Sequence, residues 1–179
     1  NDGRYVATPF DIEQDDSKFF ERLLLRGIFV PCMTVIFDRA LALAGGGFRE
    51  NLTLALDSDM WLRMSVDRPV VHVDKTTICV LAHGQNASVG PKVSERNRRD
   101  LININTFFLE KHREALARRG IERAVERRLV SQLLRLARRT TNKDEARDCY
   151  NRALALQPWR VWLYASLLMT RMRGGVSAP

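Results

Sequence analysis

From Pro91 almost to its end the chain repeats apolar residues at the period of an α-helix, about 3.6 residues, with arginines set between them. Leu101, Ile104, Phe107, Phe108 and Leu109 predict one long helix over about residues 92–118, broken by Gly120. Val125, Leu129, Leu133 and Leu136 mark the inner side of a second, over residues 121–139. A third starts at Asn142 or Lys143 and runs to Leu156, where Pro158 stops it, and a last one covers residues 159–173. Apolar stripes this regular are buried against one another, which commits this half of the chain to packed helices. Within it, Ala146, Tyr150, Ala153-Leu154 and Pro158 read as the second half of a tetratricopeptide unit. A single unit builds no solenoid, so the expectation is a packing helix or a docking face.

Charge divides the chain at the same place. Residues 1–90 hold nine Lys/Arg against twelve Asp/Glu, and residues 91–179 hold twenty against nine. The first section is therefore acidic and the second strongly basic, and two sections of opposite sign suggest two jobs. The basic helices read as a solvated hairpin with leucines inside, or as a surface for an anionic membrane face. Nucleic-acid binding is disfavoured, because Phe107, Phe108 and Trp159 sit at core spacing and no nucleic-acid module is present. No apolar run approaches the roughly 18–20 residues that span a bilayer. Cys32, Cys79 and Cys149 are scattered and odd in number, which argues for reduced thiols in a cytoplasmic setting, not a disulfide framework or a zinc site.

The acidic section reads as mixed α/β. A loop through residue 16 leads to a helix over residues 18–26, capped by Asp16 or Ser17 and ended by Gly27. Residues 28–37 are rich in β-branched and aromatic side chains and predict a buried strand, with Pro31 at its beginning. A short helix over residues 38–44 closes at Gly45-Gly46-Gly47. Leu56-Asp57-Ser58-Asp59-Met60-Trp61-Leu62-Arg63-Met64 then sets two carboxylates ahead of an apolar face. As a helix start, Asp57 or Asp59 caps free backbone N–H groups, Met60, Trp61 and Met64 face inward, and Arg63 turns elsewhere. Residues 70–73 and 76–81 predict two short strands around Asp74-Lys75, and a polar loop follows to Gly90-Pro91.

Taken together, Val35-Ile36-Phe37-Asp38-Arg39-Ala40-Leu41, Gly46-Gly47-Phe48-Arg49-Glu50, Asp57-Ser58-Asp59-Met60-Trp61-Leu62-Arg63 and His83-Gly84-Gln85-Asn86-Ala87-Ser88 form a set. It resembles the second half of the family-2 glycosyltransferases of GT-A fold, over about residues 19–88. The resemblance implies an α-rich α/β chain: a partial GT-A-like sheet with helices over residues 1–90, then an all-α extension. It also implies an inverting transfer of a sugar from a nucleotide-sugar donor to an acceptor hydroxyl, in polysaccharide or glycoconjugate synthesis.

By the same resemblance Asp57 matches the family's general base, which takes the proton of the acceptor hydroxyl, although it also reads as a helix cap. Asp59, Trp61 and Arg63 match acceptor-side positions, for substrate binding. Arg63 would neutralise buried carboxylates or approach the diphosphate. Each has a plainer role too: Asp59 as cap or surface acid, Trp61 as core, Arg63 as a solvated helix arginine. His83 matches the histidine near the nucleotide diphosphate that ligates the metal in some members. The implied cofactor is Mn²⁺ or Mg²⁺, held mainly by a nucleotide-binding half that has no counterpart in these 179 residues. That missing half, and the lack of an initiator methionine, predict a piece of a longer protein, inactive alone. The implied partners are a nucleotide sugar and a saccharide or lipid-linked acceptor, in the cytoplasm or against the inner face of the membrane. Two positions depart from the pattern: Leu56 stands where the family has glutamate, and Leu81 where it has arginine. The competing expectation is a helical interaction module on a transferase-like domain that has lost activity, and Leu56 is its main support.

Overall fold

The computed structural model describes residues 16–27, 30–73, 75, 91–160 and 164–165. Seven α-helices are described: α1 (Phe19–Arg26), α2 (Arg39–Ala44), α3 (Leu56–Ser65), α4 (Pro91–Lys111), α5 (Arg113–Arg118), α6 (Glu122–Ala137) and α7 (Lys143–Leu156). Short 3₁₀ turns precede α1 and occupy Cys32–Thr34.

Helix α6 is the centre of the packing. It lies against α4, α7, α1 and α5, and the four apolar positions expected to face inward, Val125, Leu129, Leu133 and Leu136, are all buried. Helix α7 starts where Asn142 Oδ1 accepts the N–H groups of Asp144 and Glu145. Its buried side, with Ala146, Cys149, Tyr150, Ala153 and Leu154, packs along α6. Arg99 on α4 ties these helices together, donating to both oxygens of Glu145 while also pairing with Glu95. That hydrogen bonding holds the Glu145 carboxyl below its ordinary range.

One buried cluster runs through both sections of the sequence. Phe20 of α1 meets Phe108 of α4 edge-on, with ring centroids 5.5 Å apart. The Arg119 side chain donates to Glu21 and to the carbonyl of Val66, and its guanidinium lies over the Phe20 ring. Gly27 ends α1 in the left-handed conformation, φ 70°, as its sequence position predicts. Arg128 of α6 reaches the Leu25 carbonyl beside it.

The α-rich character is as expected, but a GT-A-like sheet is not: the described residues contain no strand. Of the strand predicted over residues 28–37, the described part (30–37) is extended at Pro31, turns at Cys32–Thr34 and is extended again at Val35. Thr34 Oγ1 donates to the Pro31 carbonyl, which fixes that turn, and Ile36 is fully exposed. Residues 70–73, expected as a strand, carry no strand assignment and have no ladder partner among the described residues. Strand composition favours an extended backbone, yet a strand exists only where a neighbour completes its hydrogen bonds. The strand predicted over residues 76–81 lies outside the described residues.

Two helix expectations also change. Neither Asp16 nor Ser17 caps α1. Lys18 occupies the N-cap position without a side-chain cap, and Asp16 instead accepts the His72 N–H. The long helix predicted over residues 92–118 divides at His112, whose φ of −129° leaves the helical range. Its ring packs against Phe107 and Phe108, and burial pushes the imidazole below its ordinary pKa against the opposing pull of Asp67.

The two described cysteines differ sharply. Cys32 is exposed, whereas Cys149 is buried in the α6–α7 hairpin. Burial, with Asp148 and Glu145 adding to it, pushes the Cys149 thiol up to about 11. In a chain keeping only Cys149, a disulfide reagent at about pH 8 should therefore label nothing until denaturant opens the hairpin. In a chain keeping only Cys32 it should label at once. Prompt labelling of Cys149 in folded protein would contradict this packing.

Candidate functional site

The residues singled out by sequence gather around α3, but as a lock more than as a pocket. Asp59 is fully buried, and both of its carboxylate oxygens are engaged. Arg49 Nε donates to Oδ2 at 2.9 Å and its terminal nitrogen to Oδ1. Arg63, one turn along α3, donates Nε to Oδ2 at 2.9 Å. The other two nitrogens of Arg63 donate to the carbonyls of Gly45 and Gly47. Far from turning to solvent, Arg63 is itself 8% exposed.

This arrangement explains the glycines. Gly46 and Gly47 take φ values of 86° and 62°, a conformation that side-chain-bearing residues rarely hold. That turn lets the Gly45 and Gly47 carbonyls meet the guanidinium of Arg63. Ahead of the turn, Asp38 Oδ1 caps α2 by accepting from Ala40 and Leu41. Behind it, Arg49 carries the network to α4 by lying over the Phe107 ring, 4.5 Å from its centroid. A single buried carboxylate thus binds α3, the glycine turn and, through Arg49, α4.

Trp61 belongs to the core. It is 3% exposed and packs against Phe37 and Phe48, with centroids 5.2 and 6.5 Å away. Among the described residues its indole N–H meets no acceptor. Those two phenylalanines remain partly exposed and form a rim outside it.

Asp57 is the contrast. It is half-buried, and its Oδ1 accepts only from the N–H and hydroxyl of the adjacent Ser58. No arginine or lysine pairs with it among the described residues. Neither Asp57 nor Asp59 occupies the N-cap position of α3, which is Ala55, although Asp57 Oδ1 accepts the Ser58 N–H within the first turn. The loop that enters α3 is held from α4: Asp100 Oδ2 accepts from the backbone N–H groups of Thr53, Leu54 and Ala55 at 2.9, 2.6 and 3.0 Å. A carboxylate at that point also suits the positive end of the α3 dipole.

Arg49 and Asp100 are the residues that the sequence left without a role. Arg49 stands inside the Gly-Gly-Phe-Arg-Glu motif, yet nothing local says that it reaches Asp59. Asp100 carried one usable signal. It lies four and eight residues before Ile104 and Phe108, on the buried stripe of α4, where an acid needs a donor.

His83 lies outside the described residues. Among the described residues no three His, Cys, Asp or Glu side chains gather as a metal site, so this part of the chain offers no ligand set for Mn²⁺ or Mg²⁺. Also among them, no helix is long and apolar enough to cross a membrane. A cleft of about 380 Å³ at the start of α1 is lined in part by Asp16, Ser65, Arg68 and Arg119, and Asp57 is not part of it. Comparison with protein-family models, with curated proteins and with solved structures finds no match to this chain.

Proposed function

We propose that this chain is the acceptor-side portion of an inverting, nucleotide-sugar-dependent glycosyltransferase that acts in polysaccharide or glycoconjugate synthesis. The motif set quoted above suggests the class. The observation that carries the reading is the division between two aspartates in one helical turn: Asp59 is buried and doubly neutralised, and Asp57 is half-exposed and unpaired. A general base needs an ionised carboxylate that substrate can reach. Asp57 is within reach of a substrate, whereas Asp59 is buried with both oxygens engaged.

In this reading Asp57 takes the proton of the acceptor hydroxyl as that oxygen attacks the anomeric carbon. The bond from that carbon to the departing diphosphate breaks in the same step, with inversion. Such positioning contributes typically about 10²–10⁴-fold. Asp59 and Arg63 act at one remove, by holding the helix and the glycine turn on which Asp57 stands. The divalent ion that the family employs finds no group of three or more His, Cys, Asp or Glu side chains among the described residues. The donor site belongs to sequence beyond these 179 residues.

The test uses the complete polypeptide with a panel of nucleotide sugars, with and without Mn²⁺ or Mg²⁺. Asp57→Asn should lower turnover by about 10²-fold or more while leaving nucleotide binding and thermal stability intact. Equal turnover in variant and wild type would remove Asp57 from the chemistry. No turnover and no nucleotide binding in either would favour the second reading, a non-catalytic helical interaction module. Leu56 in place of the family glutamate and the exposed Met33, Ile36 and Leu43 favour that reading.

A further inference from the structure

Helix α6 from Arg127 onward and the turn after α7 enclose a cleft of about 340 Å³ lined by Arg127, Ser131, Leu134, Arg135, Arg138 and Arg160. The first five fall at i, i+4, i+7, i+8 and i+11, so they share one side of α6. Arg160, two residues past Pro158, comes from the other wall. Four guanidinium groups line the space and no carboxylate does.

Several arginines elsewhere are matched with acids: Arg99 with Glu95 and Glu145, Arg113 with Glu122 and Glu126, Arg119 with Glu21. In the cleft, the side chains of Arg127, Arg135 and Arg160 have neither a hydrogen-bond nor an ion-pair partner among the described residues. The two acids of α6, Glu122 and Glu126, precede the lining residues and are already engaged by Arg113. The positive field extends past the lining, because Arg135 helps to lower the pKa of Arg98 and of Arg128, after burial as the larger cause in each. The dipole of α6 gives its C-terminus roughly half a negative charge, which favours a basic residue or two there but not four cations around one space. Like charges held together repel, and an anion between them removes the cost. The forked guanidinium matches phosphate oxygens two at a time.

The geometry points to a binding site for a phosphate-bearing ligand, a phosphomonoester or diphosphate seated between Arg127, Arg135 and Arg160, with the Ser131 hydroxyl as a neutral donor. Leu134 provides an apolar floor. The site lies apart from Asp57 and does not depend on its role. Two sources carry this chemistry, a soluble phosphate compound and the headgroup of a phosphate lipid. Trp159, 70% exposed and adjacent to Arg160, is a side chain of the kind that settles at a lipid interface.

The full chain is titrated calorimetrically with sodium pyrophosphate at low ionic strength. It is also sedimented with phosphatidylcholine vesicles, plain or carrying about one-fifth phosphatidic acid. Pyrophosphate should bind saturably, and the Arg127→Gln/Arg135→Gln pair should weaken it about tenfold or more. Arg39→Gln/Lys111→Gln removes the same charge elsewhere and should change binding by less than about twofold. Arg160→Gln, outside any helix, should weaken binding in the same direction without touching α6. Retention on phosphatidic acid vesicles that pyrophosphate reverses identifies a lipid headgroup as the source. Pyrophosphate binding without retention identifies a soluble ligand. The proposal is overturned if the wild type binds neither probe, or if the two charge-matched double variants weaken binding equally.

Discussion

Asp59→Ala is expected to cost about 3–5 kcal/mol of folding stability, the largest effect of any single substitution in this chain. The reason is what stays behind. Removing the carboxylate strands Arg49 and Arg63, which together make all three of its hydrogen bonds. Arg63 is nearly buried and has no second acid, only the carbonyls of Gly45 and Gly47. An uncompensated guanidinium there will draw in water or leave its site, and in either event the glycine turn loses its anchor. Urea denaturation of wild type, Asp59→Ala and the triple replacement Arg49→Met/Asp59→Leu/Arg63→Met would measure this. The triple variant should recover much of the loss, since a buried ion network is often no more stable than apolar residues of similar volume. A midpoint for Asp59→Ala within about 1 kcal/mol of wild type would mean that the network is solvated and that α3 is held by its apolar side alone.

Asp100→Ala comes second, at about 3 kcal/mol. One oxygen of Asp100 accepts from three consecutive backbone N–H groups, with Thr53 Oγ1 as a longer fourth contact at 3.4 Å. Each buried donor left without an acceptor costs roughly 1–3 kcal/mol, and the three share one site, so their losses do not simply add. Asp100→Asn keeps an acceptor oxygen and should lose less than half as much. Hydrogen exchange gives the sharper reading: the Thr53, Leu54 and Ala55 amides should lose protection in Asp100→Ala before α6 does. Unchanged protection at those three amides would exclude the Asp100 contact, whatever the global stability.

What was legible in the sequence follows the range of the interaction that decides each feature. The stripe through Val125, Leu129, Leu133 and Leu136, the start of α7 at Asn142 or Lys143, the stop at Pro158 and the Gly27 terminus were all readable, because each is settled by residues close in sequence. The strand over residues 28–37 was misread for the opposite reason. Its composition describes a backbone preference, but a sheet depends on a partner that composition does not supply, and in the described part the chain turns at Cys32–Thr34 instead.

The candidate site divides in the same way. Spacing showed that Asp57, Asp59, Trp61 and Arg63 lie on one helix, and it was the resemblance that set them together as a site. The different fates of the two aspartates were visible in neither. Asp59 is claimed by Arg49 from ten residues upstream, and the loop leading into α3 is held by Asp100 from α4. His112 shows a third kind of failure: the helical pattern runs unbroken through it, and only the packing of its ring on Phe107 and Phe108 accompanies the break there.

The reach of Asp100 also has a consequence in time. During synthesis Thr53, Leu54 and Ala55 leave the ribosome 45–47 residues ahead of the acid that accepts their N–H groups. At about 5–20 residues per second that is a wait of roughly 2–10 s. Through that interval the α3 segment has been made but its entry loop has no internal acceptor, and α4 and α6, against which the first helices pack, are still to come. The acidic section is therefore a client of the basic one while the chain grows, and slow codons placed between residues 55 and 100 would lengthen its exposure to chaperones and proteases.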